Sequence, residues 1–143
     1  MIDRLISNPQ IKMLEQTLNF TEQRHNLILT NLANVSTPGY VQKDVSVQDF
    51  QNAMQDAVEH RRQAFNDTGS PEDTESVAFE AGGSDVAVKP QSVVRNTPFH
   101  DRGVRSMEDL MGSLADNAMA HNVVAQLLKG RYDIVTKAIN MKP

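Results

Sequence analysis

The sequence predicts a mainly α-helical chain: an elongated antiparallel pair of long N- and C-terminal amphipathic helices, with a short middle helix and a flexible or extended central region. Three observations carry this expectation. Apolar residues recur at steps of three and four near both ends of the 143-residue chain, the spacing of a helix that lies along another helix. A stop signal follows the first run and a start signal opens the last. The stretch between is rich in Gly, Ser, Thr, Asp, Glu and Pro, a composition that buries little apolar surface. The organisation expected is an N-terminal helix and turn over 1–40, a variable and partly disordered middle over 41–98, and a C-terminal helix over 99–143.

The first helix is expected from about Asn8 to Asn34. Ile11, Leu14, Leu18, Ile28, Leu32 and Val35 form a heptad-like seam, and Thr21 and His25 take the two positions between. The seam is thus apolar at both ends and polar in its middle. Leu27 and Leu29 widen it. Thr37-Pro38-Gly39-Tyr40 then reads as a stop. Proline fixes φ near −65°, glycine supplies the positive φ of a type II turn, and the residue before proline is pushed out of the helical region. Asn31 and Asn34 are suited to satisfy free carbonyls at the helix end, and Tyr40 to pack back on the helix.

Val41, Lys43, Val45 and Val47 alternate with Gln42, Asp44 and Ser46, a weak extended signal. Phe50, Met54, Ala57, Val58 and Arg61 indicate a short amphipathic helix from about Val47 to Ala64. Asn66 to Ser84 is expected to be flexible, because it offers too little burial to offset its ordering entropy. Val86-Ala87-Val88 and Val93-Val94 read as short extended pieces around Pro90.

The last helix is expected to start at Ser106, with Glu108 and Asp109 placing negative charge in its first turn. Its apolar row runs through Met107, Met111, Leu114, Ala118, Ala125, Leu128, Tyr132, Val135 and Ile139, with His121 interrupting it. Lys129, Arg131, Lys137 and Lys142 crowd the C-terminal end, where cations are favoured. About 35 residues make a helix on the order of 50 Å long.

Composition narrows the function. A net charge of −4 gives no footprint for nucleic acid. No apolar run reaches the roughly 18 to 20 residues of a membrane-spanning helix. Asp3, Arg4, Asn8 and Pro9 are unlike a cleavable signal peptide, and the absence of cysteine excludes disulfides and thiolate sites. Phosphate-binding, nucleophile-elbow and zinc-protease motifs are missing, so no enzyme, cofactor, metal or small-molecule substrate is expected. His25 and His121 stand alone without a second ligand four residues away and read as polar seam positions. Isolated helices depend on packing of their apolar faces. Two broad stripes at opposite ends of a loose middle therefore imply an assembly protein.

Asn31-Leu32-Ala33-Asn34-Val35-Ser36-Thr37-Pro38-Gly39-Tyr40 resembles the N-terminal signature of bacterial flagellar rod, hook and hook-associated proteins: Asn, an apolar residue, Ala-Asn, two variable residues, then Thr-Pro-Gly-Tyr. Asn31, Ala33, Asn34, Thr37, Pro38, Gly39 and Tyr40 carry it. The chain is most similar to the short proximal members of the rod family, in its opening (Met1 to Leu18, then Arg24) and in its last helix, over roughly residues 1 to 50 and 98 to 141. It departs at Asp101-Arg102-Gly103-Val104, where the family commonly has an Asp-Gly-Asn type turn, and at His121, where it often has Tyr.

The resemblance implies export from the cytoplasm through the flagellar type III apparatus without signal cleavage, and a place in the periplasmic rod of the basal body. It also implies helical self-assembly beside other rod subunits and the adaptor on the MS-ring side, and a requirement in motility. The expected interface residues are Ile11, Leu14, Leu18, Ile28 and Leu32 on the first helix and Leu114, Leu128, Val135 and Ile139 on the last. Another axial rod subunit, or a soluble helical export chaperone or regulator, is the alternative.

Overall fold

The computed structural model describes residues 8–63, 71–79, 85–93 and 102–140. Among these the fold is mainly helical, with three helices and a few short strands. Helix α1 spans Pro9–Ala33. Asn8 caps it from an extended conformation, its side-chain oxygen accepting from the Gln10 N–H at 3.0 Å, and Pro9 takes the first turn, where a missing N–H costs nothing. The far end stops at Asn34, whose backbone N–H and side-chain amide both donate to the Thr30 carbonyl, at 3.2 and 2.8 Å. Termination therefore falls where the Pro-Gly signal places it.

Strand β1 (Lys43–Asp44) pairs antiparallel with β4 (Gln91–Ser92), and β2 (Val77–Phe79) pairs antiparallel with β3 (Val86–Val88). Val93, expected in an extended piece, lies just past β4 and donates its N–H to the Gln42 carbonyl at 2.9 Å. Val94 lies outside the described residues. Helix α2 spans Val47–Gln63, and Ser46 caps it by accepting from the Asp49 N–H at 3.1 Å.

Two-stranded ribbons are marginal unless they pack on something. Here they pack on α1. Phe20, Val45, Phe50, Met54, Val77 and Val86 form one buried cluster, with Phe79, Met13 and Leu27 against it. The Phe20 and Phe50 rings stack with centroids 4.1 Å apart, and Phe79 follows at 5.9 Å from Phe50. The core thus sits where the middle of α1 meets α2 and the β2–β3 pair.

Two expectations change. Residues 71–79, inside the Asn66 to Ser84 stretch expected to be flexible, are folded, and Val77 is 0% exposed. A stretch-averaged composition hides the short Val77-Ala78-Phe79 run. It also hides the bonds that fix it: two local ones, Thr74 N–H to the Val77 carbonyl at 2.8 Å and Phe79 N–H to Asp73 Oδ1 at 2.7 Å, and one to α2, Ser76 Oγ to Asp49 Oδ2 at 2.7 Å. The rest of that stretch, 66–70 and 80–84, lies outside the described residues. Second, helix α3 runs Arg102–Asn140, starting four residues before Ser106. No proline intervenes there, and Gly103 inside a helix costs only about 1 kcal/mol, so the helix extends past the capping signal.

Helices α1 and α3 pack against one another. No described helix is long and apolar enough to cross a membrane.

Candidate assembly surface

The Asn31 to Tyr40 motif closes into a bonded corner. Gly39 adopts φ +78°, the left-handed conformation that glycine adopts without strain, and the Tyr40 N–H donates to the Thr37 carbonyl at 3.2 Å. A preceding turn places the Thr37 N–H on the Asn34 carbonyl at 2.9 Å. Asn31 is 2% exposed. Its Oδ1 accepts from the Tyr40 hydroxyl and from the Lys43 N–H, both at 3.0 Å, and its Nδ2 donates to the Lys43 carbonyl at 2.5 Å. Asn34 satisfies a helix-end carbonyl as its type suggests, whereas Asn31 reaches forward to the strand. One buried amide therefore ties the end of α1, the turn and β1 together. Arg24 Nε, 3.4 Å from Asp44 Oδ1, fastens the same strand to the helix, and Asp44 Oδ1 also accepts from the Val45 N–H at 2.8 Å.

Between α1 and α3 the contact is polar at its middle. Thr21 Oγ1 and His121 Nδ1 are 3.0 Å apart, and Asn117 Nδ2 donates to the Thr21 carbonyl at 2.8 Å. Gln16, Thr21, Asn31 and Asn117 are all buried. Further along, the Tyr132 hydroxyl donates to the Glu15 carboxylate. That hydrogen bond, with some desolvation and the adjoining negative charge, raises the Tyr132 phenol above its ordinary value.

The expected interface residues divide. Ile11 and Ile28 are buried within the chain; Leu14, Leu18, Leu32, Leu114, Leu128 and Val135 are half-buried; Ile139 is exposed. Of the motif, Asn31 is buried, Asn34 and Tyr40 are half-buried, and Ala33, Thr37, Pro38 and Gly39 are exposed. The seam read from the sequence is thus occupied inside the chain at Ile11 and Ile28 and partly open elsewhere. Phe20, the centre of the aromatic stack, lies off that seam.

A second stripe escaped sequence reasoning. Met119, Val123, Leu127 and Ile134 remain exposed on α3, Met119 by 68% and Ile134 by 62%. At 3.6 residues per turn they share one face within about 80°, turned away from Asn117 and His121. Their own spacing of four, four and seven was the available signal. It was masked by the stronger row one phase over. Gly112 and Gly130 lie on this same face, and a Cβ added at either meets nothing within 4 Å. Each weakens the helix by roughly 0.5–1 kcal/mol relative to alanine, and nothing among the described residues requires them.

A concavity of about 370 Å³ lies between α2 and the segment before β2, lined by Asp49, Asp56, His60, Glu72, Asp73 and Glu75. Among the described residues no three His, Asp or Glu side chains are placed to hold a metal ion. Among the described residues, what stands out is a locked turn and an apolar helix face. No family model and no characterised protein matches the sequence.

Proposed function

We propose that the chain is a structural subunit of the bacterial flagellar basal body, similar to the proximal rod protein B, and that it assembles through its terminal helices. The observation that carries this reading is the Asn31 to Tyr40 signature, placed directly after a long N-terminal helix. Its residues have work to do there: Asn31, Tyr40 and Gly39 set the angle at which the chain leaves α1. A subunit of a helical array needs such a fixed angle, because small rotations repeat along the assembly. The order of contacts, Glu15 with Tyr132 and Thr21 with Asn117 and His121, supports an elongated antiparallel pair of terminal helices. The three-part organisation follows: 1–40 and 99–143 as the packing unit, 41–98 as the outer, variable part.

In this reading the work is mechanical, with no cofactor and no substrate. Apolar burial of about 25 cal/mol per Å² at each contact, repeated through non-closing head-to-tail interfaces, makes a stiff tube. The partners are other rod subunits, the adaptor on the MS-ring side and, in transit, the type III export apparatus. The chain would reach the periplasmic rod without losing a signal peptide.

Deletion of the gene tests this reading. Basal bodies from the deletion strain should keep the membrane ring and lack rods, and motility should return with the wild-type gene; rods present in the deletion strain would sink the proposal. A soluble helical export chaperone or regulator is the second reading, favoured by the packing of α1 on α3 within one chain. It predicts that the protein stays in the cytoplasm and is absent from purified basal bodies.

A further inference from the structure

We propose that the outward face of α3 pairs with the same face of a second copy of this chain, running antiparallel and centred on Val123. Three independent features of that face support a second copy as the occupant. First, its apolar side chains, Met119, Val123, Leu127 and Ile134, are exposed together. Second, Gly112 and Gly130 sit near its two ends with open space where a side chain would be. Third, its charge changes sign along its length. Between residues 108 and 137, Glu108, Asp109 and Asp116 lie towards the N-terminal end, and Arg131 and Lys137 towards the C-terminal end, where Asp133 at the margin offsets part of the positive charge; all six are exposed. A face that is acidic at one end and basic at the other repels a parallel copy and attracts an antiparallel one.

The register follows from arithmetic on the residue numbers. If Val123 faces Val123 of the second copy, Met119 faces Leu127, Asp116 faces Gly130 and Gly112 faces Ile134. Each glycine then receives a bulkier group. Asp116 comes beside Arg131 of the second copy, and Glu108 beside Lys137. Such a contact is isologous and closes at two subunits. The stripe from Gly112 to Ile134 is roughly 33 Å long at 1.5 Å per residue. Two helices meeting over that length bury on the order of 1,000 Å², the lower edge of stable interfaces. The pair should therefore be a reversible, concentration-dependent dimer. It does not rest on the flagellar reading, and could hold the apolar face out of water before any larger assembly forms.

The chain has no cysteine, so single-cysteine variants report the geometry without background. In the full-length protein under mild oxidation, Val123→Cys should form a disulfide-linked dimer. Gly112→Cys alone should not, while Gly112→Cys mixed with Ile134→Cys should. In sedimentation equilibrium, Leu127→Glu should weaken self-association at least tenfold while leaving the circular dichroism of the monomer unchanged. Wild-type protein that stays monomeric to millimolar concentration overturns the proposal. So does Gly112→Cys linking to itself as well as Val123→Cys does, which marks a parallel pair, and so does growth beyond a dimer that Leu127→Glu abolishes, which marks a head-to-tail contact through this same face.

Discussion

Around Asn31 the chain buries polar side chains and gives each of them a partner; along the outer face of α3 it leaves apolar side chains in water. At the first place Asn31, Tyr40, Lys43, Arg24 and Asp44 join helix, turn and strand through named bonds. At the second, Met119, Val123, Leu127 and Ile134 forgo roughly 1–2 kcal/mol each of possible burial. The contrast separates a part of the molecule that is complete within one chain from a part that is not. Polar groups buried with partners specify one geometry, because any other arrangement leaves them unsatisfied. Exposed apolar groups specify only that something should cover them.

The largest expected effect tests the completed part. Phe20→Ala should cost about 3–5 kcal/mol, since it empties the centre of the stack with Phe50 and opens a cavity beneath β2 and β3. Urea denaturation of the full chain checks it. A loss under about 1 kcal/mol would mean that the α1–α2–β2 core is loosely packed and that the contrast between the two regions is weaker than drawn. Next in size, Asn31→Ala should cost about 2–3 kcal/mol, because the Tyr40 hydroxyl and both Lys43 backbone groups lose their buried partner. Tyr40→Phe removes one of those bonds and should cost about 1 kcal/mol. If Asn31→Ala proves no worse than Tyr40→Phe, the corner is not a single bonded unit.

Legibility in the sequence follows the same divide. The end of α1 and its turn could be read because proline and glycine act locally, within a turn of their own position, and the start of α2 because its apolar spacing begins there. The start of α3 could not, because Ser106 is a permissive signal and no residue before it blocks the helix. Phe20 was missed for a different reason: its partners, Phe50, Val77 and Val86, come from three separate elements. No spacing within α1 announces such a meeting. Residues 71–79 were misjudged because side chains of Asp73 and Thr74, counted as polar filler, close the backbone around Val77. Of the interface residues read from the sequence, the structure brings Ile11 and Ile28 inside the chain and leaves Ile139 exposed; the stripe through Met119, Val123, Leu127 and Ile134 belongs to another phase of α3.

On that bare stripe smaller effects of opposite sign are expected. Gly130→Ala should stabilise the monomer by roughly 0.5–1 kcal/mol, since a methyl group there meets nothing and alanine favours the helix. Thermal unfolding at low concentration measures it. A destabilised variant would show that something within the chain already approaches Gly130.

The smallest effect concerns the bond from Tyr132 to Glu15, which holds the later part of α3 to the start of α1. Tyr132 is mostly solvated, so screening limits the bond to about 0.5 kcal/mol or less. Its sign with pH is nonetheless determined. The hydrogen bond to Glu15 raises the folded-state phenol above the ordinary value, which is about 10. The stabilisation is fully present below that ordinary value. Above it the unfolded chain loses its proton first, and the stabilisation is lost as pH rises through the folded-state value. Beyond that point a tyrosinate faces a carboxylate, and the contact turns unfavourable. Wild type should therefore be slightly more stable than Tyr132→Phe at pH 8, with the gap closing or reversing in strong alkali. A gap that widened with pH would mean that Tyr132 does not donate to Glu15, and that this stretch of α3 is as incomplete on its inner side as on its outer one.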